Sequence, residues 1–346
     1  MITSTEERNV LEIMIELLEL PESAYEKAKN RYDDLGEWFN REESLVAVND
    51  PHIFAQGSFQ LGTAIRPLDE SENYDLDLAC KLREKVSKST HTQYDLKDLV
   101  GTELEKYRIA KGIRAPIEEK HRCLRLEYQD TLKFHMDIVP CIPAEEARRE
   151  IIFESMRKAN ESEAVARLAS HLMVSITDNR HPDYNRISDD WAISNPEGYS
   201  AWFVERMTSN TTSDYSEKAQ IDDVPVYSRK TTLQRVVQLL KRHRDHMFRD
   251  DPDVKPISII ITTLAGRAYQ GEQDIESALK NILSIMGNYV NPVEPRVPNP
   301  VDPEEDFADK WSMPEYESMR LEKNFWNWLK QSQIDFDLIG AKRDSL

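Results

Sequence analysis

The chain has 346 residues, of which 39% are hydrophobic and 31% are charged, and 63 acidic residues outnumber 45 basic ones to give a net charge of −18. This length and hydrophobic share suffice for one large core or two modest ones. Affinity for long nucleic acids depends largely on neutralising phosphates with lysine and arginine. The acidic balance therefore argues against a constitutive DNA- or RNA-binding protein, although a local basic pocket for a nucleotide remains compatible with it.

The three cysteines, Cys80, Cys123 and Cys141, show no CxxC or Cys/His spacing. They predict buried, reduced thiols rather than a disulfide framework or a zinc site. The chain shows no signal-peptide pattern, and no apolar run approaches the ~20 residues that a membrane-spanning helix needs. We expect a cytoplasmic protein that does not enter the membrane.

A helical pattern dominates the N-terminal region. A capping-box sequence at residues 4–7 precedes apolar residues at helical spacing, Pro21 interrupts the pattern, and the pattern resumes through Phe39. This predicts a long N-terminal helix or a kinked pair of helices. The pattern leaves open whether it braces two lobes or simply covers a sheet.

A Gly57-Ser58 turn follows, and after it comes a short strand that carries two aspartates one residue apart, Asp75 and Asp77. Because successive side chains of a strand point to opposite faces, both carboxylates share one face while the apolar residues between them share the other. Two close carboxylates repel each other unless a cation lies between them. Magnesium binds through one or two carboxylates together with substrate phosphates, so the pattern indicates a metal–nucleotide site.

A third acid is expected from a later strand over residues 132–140, which follows a strand over 122–128 and a turn at 130–131. His135 and Asp137 take its polar face. If this strand lies beside the first, Asp137 joins Asp75 and Asp77. Such a set suits two-metal phosphoryl or nucleotidyl transfer, with the ions about 3.5–4 Å apart. The glycine of the turn lets backbone N–H groups approach the β- and γ-phosphates.

The second half is predicted to be mainly helical. Cations from Lys241 to Arg244 crowd the end of one helix, where they suit either the helix dipole or a phosphate, and Lys241 and Ser258 are candidates for holding the far end of a triphosphate. An exposed loop is expected at 209–216, and the proline-rich stretch 291–303 is expected to be irregular. The predicted helices cover 93–109, 144–158, 162–175, a segment capped by Asn195 before Pro196, a segment capped by Thr231 or Thr232, 257–265, 276–286 and 314–330.

Four stretches together resemble a known family, the bacterial CD-NTases, which are cGAS/DncV-like synthases of anti-phage CBASS systems within the polymerase-beta-like nucleotidyltransferase superfamily. The resemblance extends from Phe54 to Trp311. The stretches are Gln56-Gly57-Ser58-Phe59-Gln60-Leu61-Gly62-Thr63, Tyr74-Asp75-Leu76-Asp77-Leu78, the helix from Leu233 to Asp245, and Asn291-Pro292-Val293 with Asp306-Phe307-Ala308-Asp309-Lys310-Trp311.

The resemblance implies an α+β fold, in which a mixed-sheet nucleotidyltransferase lobe with a long N-terminal spine helix packs against a C-terminal helical lobe. We place the lobes at residues 1–155 and 156–346, with the active site in the cleft between them. One departure is Asp306, which stands where the family pattern suggests asparagine and which leaves a base contact there unassigned.

The resemblance also implies roles for individual residues. Two Mg²⁺ ions, for which Mn²⁺ could substitute, would bind Asp75, Asp77 and Asp137. The expected nucleotide-binding residues are Gln56, Gly57 and Ser58 at the turn, Lys241 and Ser258 at the phosphates, and Asp309. Substrates would be ATP, GTP or pyrimidine nucleoside triphosphates, joined by a monomer into a cyclic di- or trinucleotide that a downstream effector recognises.

Two alternatives remain at this point. The protein could make linear oligonucleotides or modify an RNA or small-molecule acceptor, although its acidic charge disfavours RNA. It could also be a nucleotide sensor without catalysis, although a non-catalytic site has no need to retain three acids.

Overall fold

The structure, a computed structural model, describes residues 10–69, 74–128, 134–208 and 230–343. Short 3-10 turns connect several of its elements. The helices are α1 (Val10–Leu18), α2 (Glu22–Asn40), α3 (Gly57–Gln60), α4 (Gln93–Ala110), α5 (Glu146–Lys158), α6 (Glu163–Leu172), α7 (Pro196–Thr208), α8 (Thr232–Met247), α9 (Ser258–Ala268), α10 (Ile275–Ile285) and α11 (Leu321–Arg343). The strands are β1 (Pro51–Gln56), β2 (Tyr74–Leu82), β3 (Glu118–Glu119), β4 (Leu124–Tyr128), β5 (Phe134–Pro143), β6 (Val174–Ile176), β7 (Ala192–Ser194), β8 (Pro298–Asn299) and β9 (Asp302–Asp306).

One mixed sheet forms the centre of the first lobe. Its strands run in the order β1-β2-β5-β4-β3, and β6 and β7 extend it beyond the end of β5. The β2–β5 pair is parallel, whereas β1–β2 and β4–β5 are antiparallel. This mixed sheet, surrounded by helices, confirms the predicted α+β class.

The alternation of β2 and β5 explains which face of the sheet is buried. Leu76, Leu78, Met136 and Ile138 are fully buried in the core of this lobe, against side chains of α2 and α4. Each such side chain contributes roughly 1.5–3 kcal/mol through burial. The opposite face, which carries the aspartates, is therefore turned away from this core.

The N-terminal helices form a kinked pair, divided at Pro21, which occupies the N-cap of α2. The helix α1 buries Leu11, Ile15 and Leu18 in the core of the helical lobe, while α2 buries Leu35 and others in the core under the sheet. The pair thus contacts both lobes, as the bracing alternative expects. The predicted capping box at 4–7 lies outside the described residues.

The helical lobe packs around large aromatic side chains, including Trp202, Phe325 and Trp328. Two predicted caps are confirmed. Asn195 accepts a hydrogen bond from the Gly198 backbone N–H (3.1 Å), and Thr231 forms a capping box with Gln234. Among the helices that the structure describes, none combines the length and apolar character of a membrane span.

Three predicted boundaries were wrong. The helix expected over 162–175 ends at Leu172, because residues 174–176 pair with β5 and β7 as strand β6. The stretch 291–303, expected to be irregular, contains β8 and the start of the short hairpin partner β9. The last helix begins only at Leu321, after a 3-10 turn and Arg320 in a left-handed conformation.

Some expectations are not decided by the structure. The loop at 209–216 and the turn at 130–131 lie outside the described residues. The boundary between lobes at residue 155 stays a prediction. Strands β6 and β7, which follow it in the chain, belong to the sheet of the first lobe, and α1, which precedes it, packs against α8.

Candidate active site

Strands β2 and β5 bring the three aspartates together. In their parallel register Asp77 lies opposite Asp137, and Asp75 lies opposite His135. All of these side chains project from the face of the sheet that the main core does not cover. Asp137 was expected to join Asp75 and Asp77 if their two strands were neighbours, and the β2–β5 pairing meets that condition. The assignment of the three carboxylates as metal ligands stays a prediction.

The electrostatics of this cluster are unfavourable for three free anions. Burial, together with the neighbouring carboxylates of Asp75 and Asp137, raises the pKa of Asp77 to about 7 against smaller opposing effects of Arg125 and Lys241. Asp75 lies at the open side, with 65% of its side chain exposed, while only 18% of the Asp137 side chain is exposed. The cluster thus holds more negative charge than the protein itself neutralises.

Arg125 is a part of the site that the sequence did not single out. It lies opposite Asp137 in the β4–β5 register, and its Nε and Nη2 each donate a 2.7 Å hydrogen bond to one oxygen of Asp137. This is a bidentate, charge-assisted pair. Its position between the buried Leu124 and Leu126 is a signal that would have placed it on the polar face of its strand.

The donor chemistry of the cluster fits a divalent cation. Three carboxylates on adjacent strands provide hard oxygen ligands, and a carboxylate has about four lone-pair sites, so Asp137 retains acceptor capacity beside Arg125. Across the part of the chain that the structure describes, no three acidic, histidine or cysteine side chains already form a metal cage.

Gly57 permits the close approach of the turn to the second aspartate. It has φ +67°, and a Cβ placed there would lie 2.2 Å from Oδ2 of Asp77. Any side chain at this position would collide with the carboxylate. Gln56 lies opposite Asp77 in the β1–β2 register, and its Nε2 donates to the Leu78 carbonyl (3.3 Å). Ser58, half-buried, follows in the single turn α3.

One face of α8 holds the segment that follows this turn. Gln234 Nε2 donates to the Leu61 carbonyl (3.0 Å), Gln238 Nε2 to that of Ala64 (2.7 Å), and Lys241 Nζ to that of Thr63 (2.8 Å). The donors are spaced four and three residues apart, which places them on one side of a helix. We call this set of three donors the α8 clasp, and it explains why polar side chains occupy a buried helix face.

Lys241 lies in the clasp rather than free in the cleft. It is buried, and burial lowers its pKa to about 7. Ser258 begins α9, and its hydroxyl accepts a 2.9 Å hydrogen bond from Arg244. Asp309 is exposed, and its carboxylate accepts from the Lys310 backbone N–H (2.7 Å). The phosphate or nucleotide contacts expected of these three residues stay predictions.

A cleft of about 280 Å³ begins at Asp77 and continues between the lobes. Such a volume is near the lower end of small-molecule sites. Several polar and aromatic residues that line the cleft were not among the predicted site residues. The sequence signals that could have pointed to them are their positions near the proline-rich stretch or near the cap of α7. Its lining includes Gln56, Gly57 and Asp77 from the first lobe, Asn195 and Tyr199 from the α7 region, Ile259 from α9, and Asn299, Glu305 and Phe307 from the β8–β9 hairpin.

Comparison with known proteins agrees with this geometry. Residues 51–141, which contain the turn and all three aspartates, match the family model described as "Cyclic GMP-AMP synthase DncV-like, nucleotidyltransferase domain". A c-di-GMP synthase of Roseivirga ehrenbergii is 28% identical over 314 residues, which are 89% of this chain and 73% of that protein. The cyclic dinucleotide synthase CdnG of Bradyrhizobium diazoefficiens is 23% identical over 85% of this chain and 67% of its own.

Solved structures show the same fold. The structure of the Bradyrhizobium diazoefficiens CD-NTase CdnG in complex with GTP aligns with a TM-score of 0.65 at 18% identity, and covers 95% of this chain and 91% of its own. Vibrio cholerae DncV in complex with ATP and GTP aligns with a TM-score of 0.55 at 13% identity, over 94% and 88%. The matched domain, the relatives and the fold agree with the resemblance first noted in the motifs. The chain thus carries a DncV-like nucleotidyltransferase domain at residues 51–141 and is similar over most of its length to cyclic dinucleotide synthases.

Proposed function

We propose that this nucleotidyltransferase condenses nucleoside triphosphates into a cyclic dinucleotide in a Mg²⁺-dependent reaction. The observation that carries the proposal is the register that places Asp75, Asp77 and Asp137 on one open face, with Asp77 beside the Gly57 turn and at the end of the interlobe cleft. The names of the two curated relatives, a c-di-GMP synthase and a cyclic dinucleotide synthase, support a cyclic dinucleotide as the product.

The reaction is two successive in-line displacements. A 3′- or 2′-hydroxyl attacks the α-phosphate of a nucleoside triphosphate, a P–O bond forms, and pyrophosphate leaves. The linear intermediate then turns over in the same site, where its own free hydroxyl attacks its remaining α-phosphate and expels a second pyrophosphate. Two Mg²⁺ ions, when bound, would stabilise the entering and leaving oxygens and lower the pKa of the attacking hydroxyl.

The protein side chains have separate tasks in this scheme. Asp75, Asp77 and Asp137 would hold the ions, and Arg125 keeps Asp137 aimed at them. The clasp of α8 fixes the segment after the Gly57 turn, so that its backbone N–H groups stay aligned for phosphates. Residues from both lobes line the cleft, where bound nucleotides would be held close enough to react.

The test is the double variant Asp75→Asn with Asp77→Asn, incubated with radiolabelled nucleoside triphosphates and Mg²⁺. Pyrophosphate release and product formation should be lost while the thermal unfolding transition is retained. Asp33→Asn, on a partly exposed side chain of α2, is the matched control and should keep full activity. Retained product formation in the double variant would refute the proposal.

We infer further that the product signals to a separate effector in anti-phage defence. This rests on the resemblance to CBASS synthases, while the names of the relatives support the cyclic dinucleotide product alone. Plating efficiency of phage on cells that express the protein together with its effector should depend on Asp75 and Asp77. Unchanged protection by the double variant would contradict this role.

A second candidate, a linear oligonucleotide or a modified acceptor as the product, differs from the first in its response to phosphatase. Linear products with terminal phosphates are degraded, whereas a cyclic product resists.

A further inference from the structure

The cleft has an acidic end, away from the sheet, formed by the β8–β9 hairpin. Glu305 and Asn299 of this hairpin line the same cleft that reaches Asp77, together with the ring of Phe307. Burial raises the pKa of Glu305, and the negative charges of Asp302 and, more weakly, Asp309 act in the same direction, against the hydrogen bond from Asn299 and the charge of Arg122. An end with this charge disfavours phosphate and instead suits a group that donates hydrogen bonds.

Asn299 fixes the orientation of the Glu305 carboxylate. The Asn299 side chain is buried, and its Oδ1 accepts from the Val301 backbone N–H (3.0 Å). Its Nδ2 is therefore the atom that faces Glu305, and it donates to Oε2 at 2.6 Å. No described residue donates to the other oxygen, Oε1. Glu305 is exposed and lines the cleft, so its carboxylate can accept hydrogen bonds from a ligand.

The neighbouring acids of the same strand are committed elsewhere. Asp306 accepts three backbone hydrogen bonds, from Arg296 (2.6 Å), Val297 (2.8 Å) and Ala308 (2.8 Å), so its carboxylate organises the hairpin. Glu304 points to the other side of the strand, toward Arg148. The acid where the family pattern suggests asparagine is thus structural, and Glu305 is the carboxylate of this strand that faces the cleft.

The hydrogen-bond donors and acceptors of each base determine how well it fits the Glu305 carboxylate. Guanine presents two adjacent donors, N1–H and the 2-amino group, which match the two oxygens of one carboxylate. Adenine and cytosine each present an amino group beside a ring nitrogen that only accepts, and uracil has a single N–H between two carbonyls. An acceptor-only carboxylate faces a repulsive lone pair or an unmatched carbonyl in each of these bases. The rings of Phe307 and Tyr199 line the same cleft and offer apolar surface to a base.

We propose that Glu305, oriented by Asn299, reads the N1–H and 2-amino edge of guanine, and that GTP is the preferred substrate at this end of the cleft. The inference rests on the proposed function, because it assumes that the cleft holds a substrate nucleotide.

The experiment compares GTP with ITP, which lacks only the 2-amino group, and with ATP. In the full chain, kcat/KM for GTP should exceed that for ITP, and Glu305→Gln should lower it for GTP on the order of 10²-fold while changing it far less for ITP. Glu304→Gln, on the opposite side of the same strand, is the matched control and should leave the ratio unchanged. Glu305→Ala serves as a second variant, and thermal unfolding checks that both remain folded.

A binding measurement separates this inference from the proposed function. Calorimetric titration of GTP, ITP and ATP into the Asp75→Asn variant reports base preference without turnover. Equal affinity for the three nucleotides, or a GTP preference that survives in both Glu305 variants, would overturn the inference even if a cyclic product is made. A GTP preference that depends on Glu305, in a protein that makes no product at all, would uphold the base site and refute the proposed activity.

Discussion

The guanidinium group of Arg125 donates two hydrogen bonds of 2.7 Å to Asp137, one to each carboxylate oxygen. The pair crosses from β4 to β5 at directly opposed positions, so it is fixed by the backbone register as well as by charge. It gives one of the three acids of the candidate active site a built-in cation. Asp75 instead faces His135, with 3.6 Å between its Oδ1 and His135 Nδ1, and no arginine lies opposite Asp75 or Asp77 in the strand pairs that the structure describes.

Arg125→Gln should lower nucleotidyl transfer by about tenfold or more, because Asp137 would lose the fork that orients it. Arg125→Lys keeps the charge but not the two parallel donors, so it should restore only part of the activity. The measurement is kcat as a function of Mg²⁺ concentration, and Mn²⁺ binding followed by electron paramagnetic resonance gives a readout independent of turnover. Arg83→Gln breaks a partly exposed pair with Asp50 and serves as the control. Full activity in Arg125→Gln would contradict the positioning role.

Gly57→Ala should abolish activity, because the new Cβ would lie 2.2 Å from Asp77 Oδ2. Gly112 offers a matched control, since it has the same φ of +67° but no heavy atom within 4 Å of an added Cβ. Both variants should lose about 1–2 kcal/mol of stability from the left-handed backbone. Only Gly57→Ala should lose product formation, and equal activity of the two variants would show that the collision with Asp77 does not matter.

The stability of the metal-free protein should fall as the pH rises from 5 to 7. The pKa of Asp77 is raised from 3.8 to about 7, so over this window the unfolded chain has already lost the proton that the folded chain still largely holds. The contribution to the free energy of unfolding should drop by about 2 kcal/mol across these two units. Chemical denaturation at pH 5, 6 and 7 measures it.

Two controls define this pH effect. Asp77→Asn should flatten the dependence, and saturating Mg²⁺ at pH 7 should recover the lost stability if the carboxylates bind it. The lowered pKa of Lys241, also about 7, acts with the opposite sign, because above pH 7 the unfolded chain holds the proton that the folded chain has released. Its contribution is confined to higher pH, so a pH dependence below 7 that survives in Asp77→Asn would contradict the assignment.

Gln238→Leu should weaken nucleotide binding by releasing Ala64 from the α8 clasp. Loss of the buried 2.7 Å bond leaves the Ala64 carbonyl without this donor, at a cost of about 1–3 kcal/mol. Gln333→Leu breaks an amide–carbonyl bond of the same length, to Leu283 within the helical lobe. Both variants should unfold at lower denaturant concentration, but only Gln238→Leu should raise KM for the nucleoside triphosphate. An unchanged KM would show that the clasp serves stability alone.

The elements of the site could be predicted where a local pattern fixed them. Alternation placed Asp75 and Asp77 on one face and Asp137 on another strand, and cap residues such as Asn195 and Thr231 marked helix starts. Alternation along a strand does not determine the order of strands in a sheet, so it could not show that Asp77 and Asp137 lie opposite each other in the parallel β2–β5 pair. The role of Arg125 could not be predicted for the same reason, since it depends on the β4–β5 register.

Long-range contacts account for the remaining surprises. Lys241 was expected at phosphates, yet its donor group is bound to Thr63, a partner 178 residues away. The local sequence pattern predicts the end of a helix at residues 174–175, but residues 174–176 pair with β5 and form a strand. The role of Glu305 depends on Asn299 and on a hairpin within a proline-rich stretch that local rules assign to irregular structure.

The decisive experiment is to incubate the protein with all four nucleoside triphosphates and Mg²⁺, treat the mixture with phosphatase, and analyse it by mass spectrometry. We expect a phosphatase-resistant cyclic dinucleotide that contains guanine and that disappears when EDTA is added or when Asp75 and Asp77 are replaced by asparagine. Only unreacted nucleotides, or only products that phosphatase converts to linear species, would contradict it.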